Sequence, residues 1–180
     1  RKGRRMSRYR IGVVGLGAAA RNIHLPAIAK TGALELVGGV DPAATEGQHP
    51  FPVFASLAEM LDRAAPDIVA IVTPPASHYA LIRECLDAGV HVFCEKPFVE
   101  TLDEGRDVIA RAAAAGRHVV INNEFRFMNV HEAARARIGA GDFGELLFVS
   151  IHQTFFVTEQ TEAGWRGESK RRTCFEFGTH

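Results

Sequence analysis

Six short apolar runs, at residues 9–14, 34–40, 52–55, 67–74, 90–94 and 118–123, alternate with longer segments of helical periodicity. Runs such as DIVAIVTP and VHVFC are apolar on consecutive positions, so a strand built from them must be covered on both faces. Parallel strands joined by crossover helices meet that requirement. The intervening segments predict helices over 18–30, 57–65, 77–89 and 101–115. Thr101 with Glu104 three residues on matches a capping box, and Gly89 stands where a helix C-terminus favours glycine. Pro26 falls inside the first helix and predicts a kink or interruption there. Right-handed crossovers wind such a chain into a Rossmann-type, doubly wound α/β domain, expected over residues 7–124.

From about residue 125 the texture changes. A helix over 128–141 leads through Gly141 and Gly144 into LLFVSIHQTFFV, the longest strand pattern in the chain. Residues 125–180 are therefore expected to begin a second, α+β domain. Only a polar loop, 158–173, and a short end follow that strand, and a lone strand is unstable. The expectation is a chain that stops short of the full domain, or a partner that completes the sheet.

Composition narrows the class. Of the 21 basic residues, six crowd the first ten positions, which leaves the remainder mildly acidic with no basic face for nucleic acid. The stretch GRRMSRYRIGVVGLGAAA superficially resembles a twin-arginine export signal. Its apolar run is needed as the first strand and turn, so the export reading is rejected; Met6 reads as a start, with residues 1–5 as an upstream extension. Cys85, Cys94 and Cys174 are odd in number and widely spaced, which favours a reducing cytoplasm. No apolar stretch approaches the roughly 20 residues of a membrane span. His49, His91, His118, His131 and His152 lack ligand spacing, so no metal site is expected.

The first strand runs into Gly15, Gly17 and Ala20, a G-x-G-x-x-A spacing. There the first glycine allows a tight turn, the second leaves room for a diphosphate, and the small third residue lets helix approach strand. The phosphates would lie on N–H groups around Ala18 and Ala19 at the helix N-terminus. Asp41 closes the second strand where the dinucleotide fingerprint places an acid on the ribose hydroxyls. A carboxylate there repels a 2′-phosphate, and Pro42 and Ala43 follow instead of an arginine, so NAD is preferred over NADP. The plain alternatives are a structural strand-to-helix turn and an ordinary Asp-Pro turn.

At GLGAAARNIHLPAI (15–28), VDP (40–42), IVTPPASHYALIRECLDAGVHVFCEKPF (71–98) and FRF (125–127), the sequence resembles the glucose-fructose oxidoreductase / inositol dehydrogenase / MocA family. The likeness runs from about residue 8 through nearly the whole chain. Its most specific element is Glu95-Lys96-Pro97 after a strand, with Thr73, Pro74 and His78 upstream. The resemblance implies a two-domain oxidoreductase with NAD(P) on the first domain and a sugar, polyol or derivative facing the open sheet of the second. It places Thr73, Pro74, His78 and Glu95 at the cofactor, and Lys96 beside the nicotinamide, touching the reacting hydroxyl. His24 reads as a capping or packing group near the cofactor. The family's D-x-G-x-H pattern reads EFGTH here, which gives Glu176 and His180, preceded by Trp165 and Arg166.

Several departures bear on the substrate and the adenine side. Glu176 replaces aspartate, RRTC replaces a glycine-rich lead-in, the sequence ends at His180, and the helix usual after the second strand is largely missing between Asp41 and Ser56. Alcohol oxidation removes a hydride and a proton. Lys96, near a positive ring, is expected to help take that proton, with His180 as general acid/base and Glu176 orienting its imidazole. The expected function is hydride transfer between nicotinamide and a sugar or polyol hydroxyl, in a homo-oligomer assembled through the second domain. The rivals are a dinucleotide-binding regulatory module without turnover and a sugar-processing enzyme that uses NAD transiently.

Overall fold

The computed structural model describes residues 8–44, 47–152 and 154. The chain divides into two units, Arg1–Asn122 and Asn123–His180. In the first, strands β1 (Tyr9–Val14), β2 (Leu34–Val40), β3 (Val53–Phe54), β4 (Ile68–Ile71), β5 (His91–Glu95) and β6 (Val119–Asn122) form one sheet. All pairings are parallel, and the strand order is β3-β2-β1-β4-β5-β6. This is the doubly wound Rossmann arrangement expected from the alternation of apolar runs and helices.

Consecutive side chains of β1 divide the core. Val14 joins one cluster with Met60, Ile71, Ile82, Val92 and Val108, under helices α2 (Leu57–Ala64), α3 (His78–Asp87) and α4 (Leu102–Ala115). Ile11 and Val13 join the opposite cluster with Leu16, Ala20, Ile28 and Ala70. There the cover is the helical run 18–30, which includes α1 (Leu25–Lys30). Phe51, from the β2–β3 connection, and Ala44 pack against the same cluster. Among the described residues of that connection no helix forms. Phe51 thus supplies apolar cover to this face from a connection without a helix among its described residues.

Thr101 caps α4 as expected: its hydroxyl accepts from Glu104 N–H, and the Glu104 carboxylate accepts from Thr101 N–H. Pro26 leaves the helix unbroken. The turn before it, Ala20–His24, is π-helical, with Leu25 N–H donating to Ala20 O. That wider winding accommodates a ring that would otherwise crowd a carbonyl one α-turn back.

In the second unit a 3₁₀ turn, Glu124–Phe127, precedes α5 (Asn129–Gly139). Residues 146–152, expected to be strand, have no regular structure. Extended backbone becomes a strand only when a neighbour accepts its hydrogen bonds, and no such neighbour exists among the described residues.

Candidate functional site

The sheet register brings distant residues to one edge. Val14 lies opposite Val40 and Ile71, Ile71 opposite Cys94, and Glu95 opposite Asn122. One step beyond those paired positions come Asp41, Gly15 and Val72, with Thr73 next along. Glu95 and Asn122 end their own strands at the same edge. This is the C-terminal edge, where open parallel sheets bind ligands.

Gly15 has φ +89°, and a Cβ there would lie 2.6 Å from Val72 O, so only glycine fits between β1 and the end of β4. At Gly17 a Cβ would meet nothing within 4 Å. Ala20 is fully buried against the sheet. The first intrahelical bond runs from Arg21 N–H to Gly17 O, so the N–H groups of Ala18 and Ala19 precede the helical ladder and lack acceptors within it. Open space over Gly17 and donors aimed from the helix start suit a diphosphate. Asp41 braces this turn: Oδ2 accepts from Leu16 N–H at 2.7 Å and Oδ1 from Ala43 N–H at 2.8 Å. Each oxygen keeps a second lone pair for a hydroxyl donor. Arg21 Nη1 donates to Leu16 O at 3.0 Å, which sets a guanidinium beside the turn.

Glu95 is gripped from three directions. His24 Nε2 lies 2.7 Å from Oε1, Asn122 Nδ2 donates to the same oxygen at 2.7 Å, and Lys96 N–H donates to Oε2 at 3.1 Å. Burial pushes this carboxyl up, but the bonds from His24 and Asn122, the charge of His24 and the Lys96 N–H outweigh it and hold it below its ordinary value. An ionised carboxylate only accepts, so His24 Nε2 carries a proton. His24 is itself buried and meets the Phe93 ring edge-on at 5.9 Å. The bond therefore ties the glycine-turn helix to the end of β5. The associated stability is present above the unfolded carboxyl's value and is lost as pH falls through the lower folded value.

His78, fully buried, ties the next pair of loops. Its Nδ1 lies 2.8 Å from Pro97 O and its Nε2 2.9 Å from Thr73 O. Ser77 Oγ donates to Pro74 O at 2.8 Å and lies 2.7 Å from Thr73 Oγ1, a second hydroxyl hydrogen-bonded to it. Lys96, half-buried, projects from the loop that His78 anchors through Pro97. Gly15, Gly17, Ala18, Ala19, Asp41, Thr73, Pro74, His78, Glu95 and Lys96 therefore occupy the turns and strand ends along one edge. Glu176, His180, Trp165, Arg166 and Cys174 lie outside the described residues.

Cys85 and Cys94 are free and fully buried. Desolvation raises the Cys85 thiol to about 12, and Cys94 is raised further by burial beside Glu95. Neither thiol is a nucleophile near neutrality. Iodoacetamide at mildly alkaline pH is expected to leave the Cys85 and Cys94 peptides unlabelled in the folded protein and to label both in urea, as read by peptide mass spectrometry. Labelling of either in the folded state would contradict their burial.

A family model described as "Oxidoreductase family, NAD-binding Rossmann fold", GFO_IDH_MocA, matches residues 9–123. The chain belongs to the GFO/IDH/MocA oxidoreductase family. Galactose 1-dehydrogenase of Pseudomonas fluorescens is 40% identical over 114 residues, covering 61% of this chain and 36% of that protein. The uncharacterized oxidoreductase YdgJ of Escherichia coli K12 is 28% identical over 160 residues, covering 87% of this chain and 46% of that protein. Among solved structures, the WlbA dehydrogenase of Bordetella pertussis in complex with NADH and UDP-GlcNAcA superposes with a TM-score of 0.72 at 29% identity. That superposition covers 77% of this chain and 41% of WlbA. The chain thus spans less than half the length of these GFO/IDH/MocA relatives.

His24 is legible in the sequence only as a packing group, and Asn122 and Arg21 are not legible there as parts of the site. His24 carried a usable signal: it follows Ala20 by four residues and so shares the helix face that packs on the sheet. A polar ring on that face needs a buried partner. Asn122 and Arg21 carried none, because their partners are fixed by strand register and by the path of the turn.

Proposed function

We propose that this protein uses NAD(H) to transfer a hydride to or from a hydroxyl carbon of a sugar, polyol or derivative. The observation that carries this reading is the row across β2, β1, β4 and β5. It sets an open glycine turn, a ribose-competent carboxylate and Glu95-Lys96 along one sheet edge, in a chain whose family binds NAD. In this reading Gly15, Gly17, Ala18 and Ala19 hold the diphosphate, and Asp41 accepts from the ribose hydroxyls. Asp41 would repel the 2′-phosphate of NADP. Thr73, Pro74 and Glu95 border the nicotinamide half, with buried His78 holding the Thr73 and Pro97 carbonyls behind them. When bound, the nicotinamide supplies the hydride-accepting or hydride-donating carbon. Lys96 binds the substrate hydroxyl and steadies the oxygen as its proton leaves; His180, oriented by Glu176, takes that proton. Sugar-directed relatives such as galactose 1-dehydrogenase and the UDP-GlcNAcA-bound WlbA support the substrate class. Buried free thiols suit a cytoplasmic setting, and no helix among the described residues is long and apolar enough to cross a membrane.

The test is NAD⁺ reduction by the full-length protein across a panel of aldoses, polyols and sugar nucleotides, with product analysis alongside. Substrate-dependent NADH formation is the expected result. Product without net NADH would replace hydride transfer to bulk cofactor by transient redox use. Cofactor binding with no product from any panel member would replace it by a regulatory role.

A further inference from the structure

Resting on the cofactor reading above, we propose that Glu95 sets the protein's preference between the oxidised and the reduced nicotinamide, acting as a fixed negative charge held in place by His24 and Asn122. The strand order supplies the placement. Asp41 follows β2 on one side of β1, while Thr73 follows β4 and Glu95 ends β5 on the other. A dinucleotide with its diphosphate over Gly17 and one ribose at Asp41 must lay its second half across β4 and β5. That half carries the nicotinamide, whose ring is a cation when oxidised and neutral when reduced.

The geometry at Glu95 goes beyond what joining a helix to a strand requires. Its Oε1 takes hydrogen bonds from elements on both sides, His24 at 2.7 Å and Asn122 at 2.7 Å, and Oε2 takes the Lys96 N–H at 3.1 Å. A carboxylate so held cannot swing away or share a proton with solvent. The donors also keep it ionised despite its burial. A fixed charge in a partly desolvated site acts on a nearby cation far more strongly than it would in water, and it does nothing comparable for a neutral ring. The titratable residues in contact with this carboxylate are His24, through Nε2, and Lys96, through its backbone N–H. Both are retained when Glu95 is made neutral, so the change in preference reads the carboxylate itself.

Isothermal titration of the full-length protein with NAD⁺ and with NADH, in the unaltered form, Glu95→Gln and His24→Gln, tests this. Glutamine has the shape of glutamate, and its one carbonyl oxygen can still accept from His24 and Asn122; the bond from the Lys96 N–H is lost, which acts on both cofactor forms alike and leaves their ratio as the readout of charge. Glu95→Gln is expected to weaken NAD⁺ relative to NADH by about tenfold or more. His24→Gln keeps an N–H against Glu95 and is expected to retain at least the unaltered preference for NAD⁺. An unchanged NAD⁺/NADH ratio in Glu95→Gln would overturn the proposal while leaving cofactor binding standing, as would loss of the preference in His24→Gln. Failure of the unaltered protein to bind either dinucleotide would overturn the cofactor reading and this proposal together.

Discussion

Gly15→Ala is expected to cost the domain both stability and dinucleotide binding, whereas Gly17→Val is expected to cost only the second. At Gly15 the backbone sits at φ +89°, a conformation L-residues adopt only under strain, and the new methyl would lie 2.6 Å from the Val72 carbonyl oxygen. The obstacle is backbone at the end of a buried central strand, so little can give way. Strain and overpacking together should remove roughly 3–5 kcal/mol. At Gly17 a Cβ meets no atom within 4 Å, and valine adds bulk only to the space a diphosphate would fill. Its stability is expected to stay within about 0.5 kcal/mol of the unaltered protein. NADH affinity should nevertheless fall at least about tenfold, a loss of about 1.4 kcal/mol. Urea denaturation and calorimetric titration of both variants separate these outcomes. Equal destabilisation by the two changes would mean that the open space over Gly17 is not there.

Lys96→Ala is expected to lower turnover about 10²–10⁴-fold while NADH binding stays within severalfold. Lys96 projects from a loop already secured by His78 on Pro97 O and by Glu95 on the Lys96 N–H, so removing the side chain leaves those anchors in place. Lys96→Arg is not expected to rescue the loss, because a planar fork does not replace a compact ammonium at a single hydroxyl. Steady-state rates on the best substrate of the panel, with thermal melting as a control for folding, provide the check. Full activity in Lys96→Ala would remove this residue from the chemistry.

Much of the architecture was legible because it depends on local pattern. Continuous apolar runs such as IVAI can be satisfied only in a doubly covered parallel sheet, and Thr101 with Glu104 announces a helix start by chemistry confined to four residues. Pro26 was legible as an irregularity but not as a π-helical turn, since how a helix absorbs a proline depends on what packs around it. The LLFVSIH segment reads as strand by composition, yet strand formation is a property of two segments, and its described residues find no neighbour. The site divides along the same line. Gly15, Gly17 and Asp41 declare themselves through spacing along one βαβ unit. The clamp on Glu95 joins residues 24, 95 and 122, and only the fold brings those together.

The most direct test is a crystal structure of the full-length protein with NADH bound. The diphosphate is expected within hydrogen-bond distance of the Ala18 and Ala19 N–H groups, with the adenosine ribose on Asp41 and the nicotinamide ring beside Lys96. A dinucleotide lying elsewhere, or one seated on the glycine turn with its nicotinamide directed away from residue 96, would contradict the account.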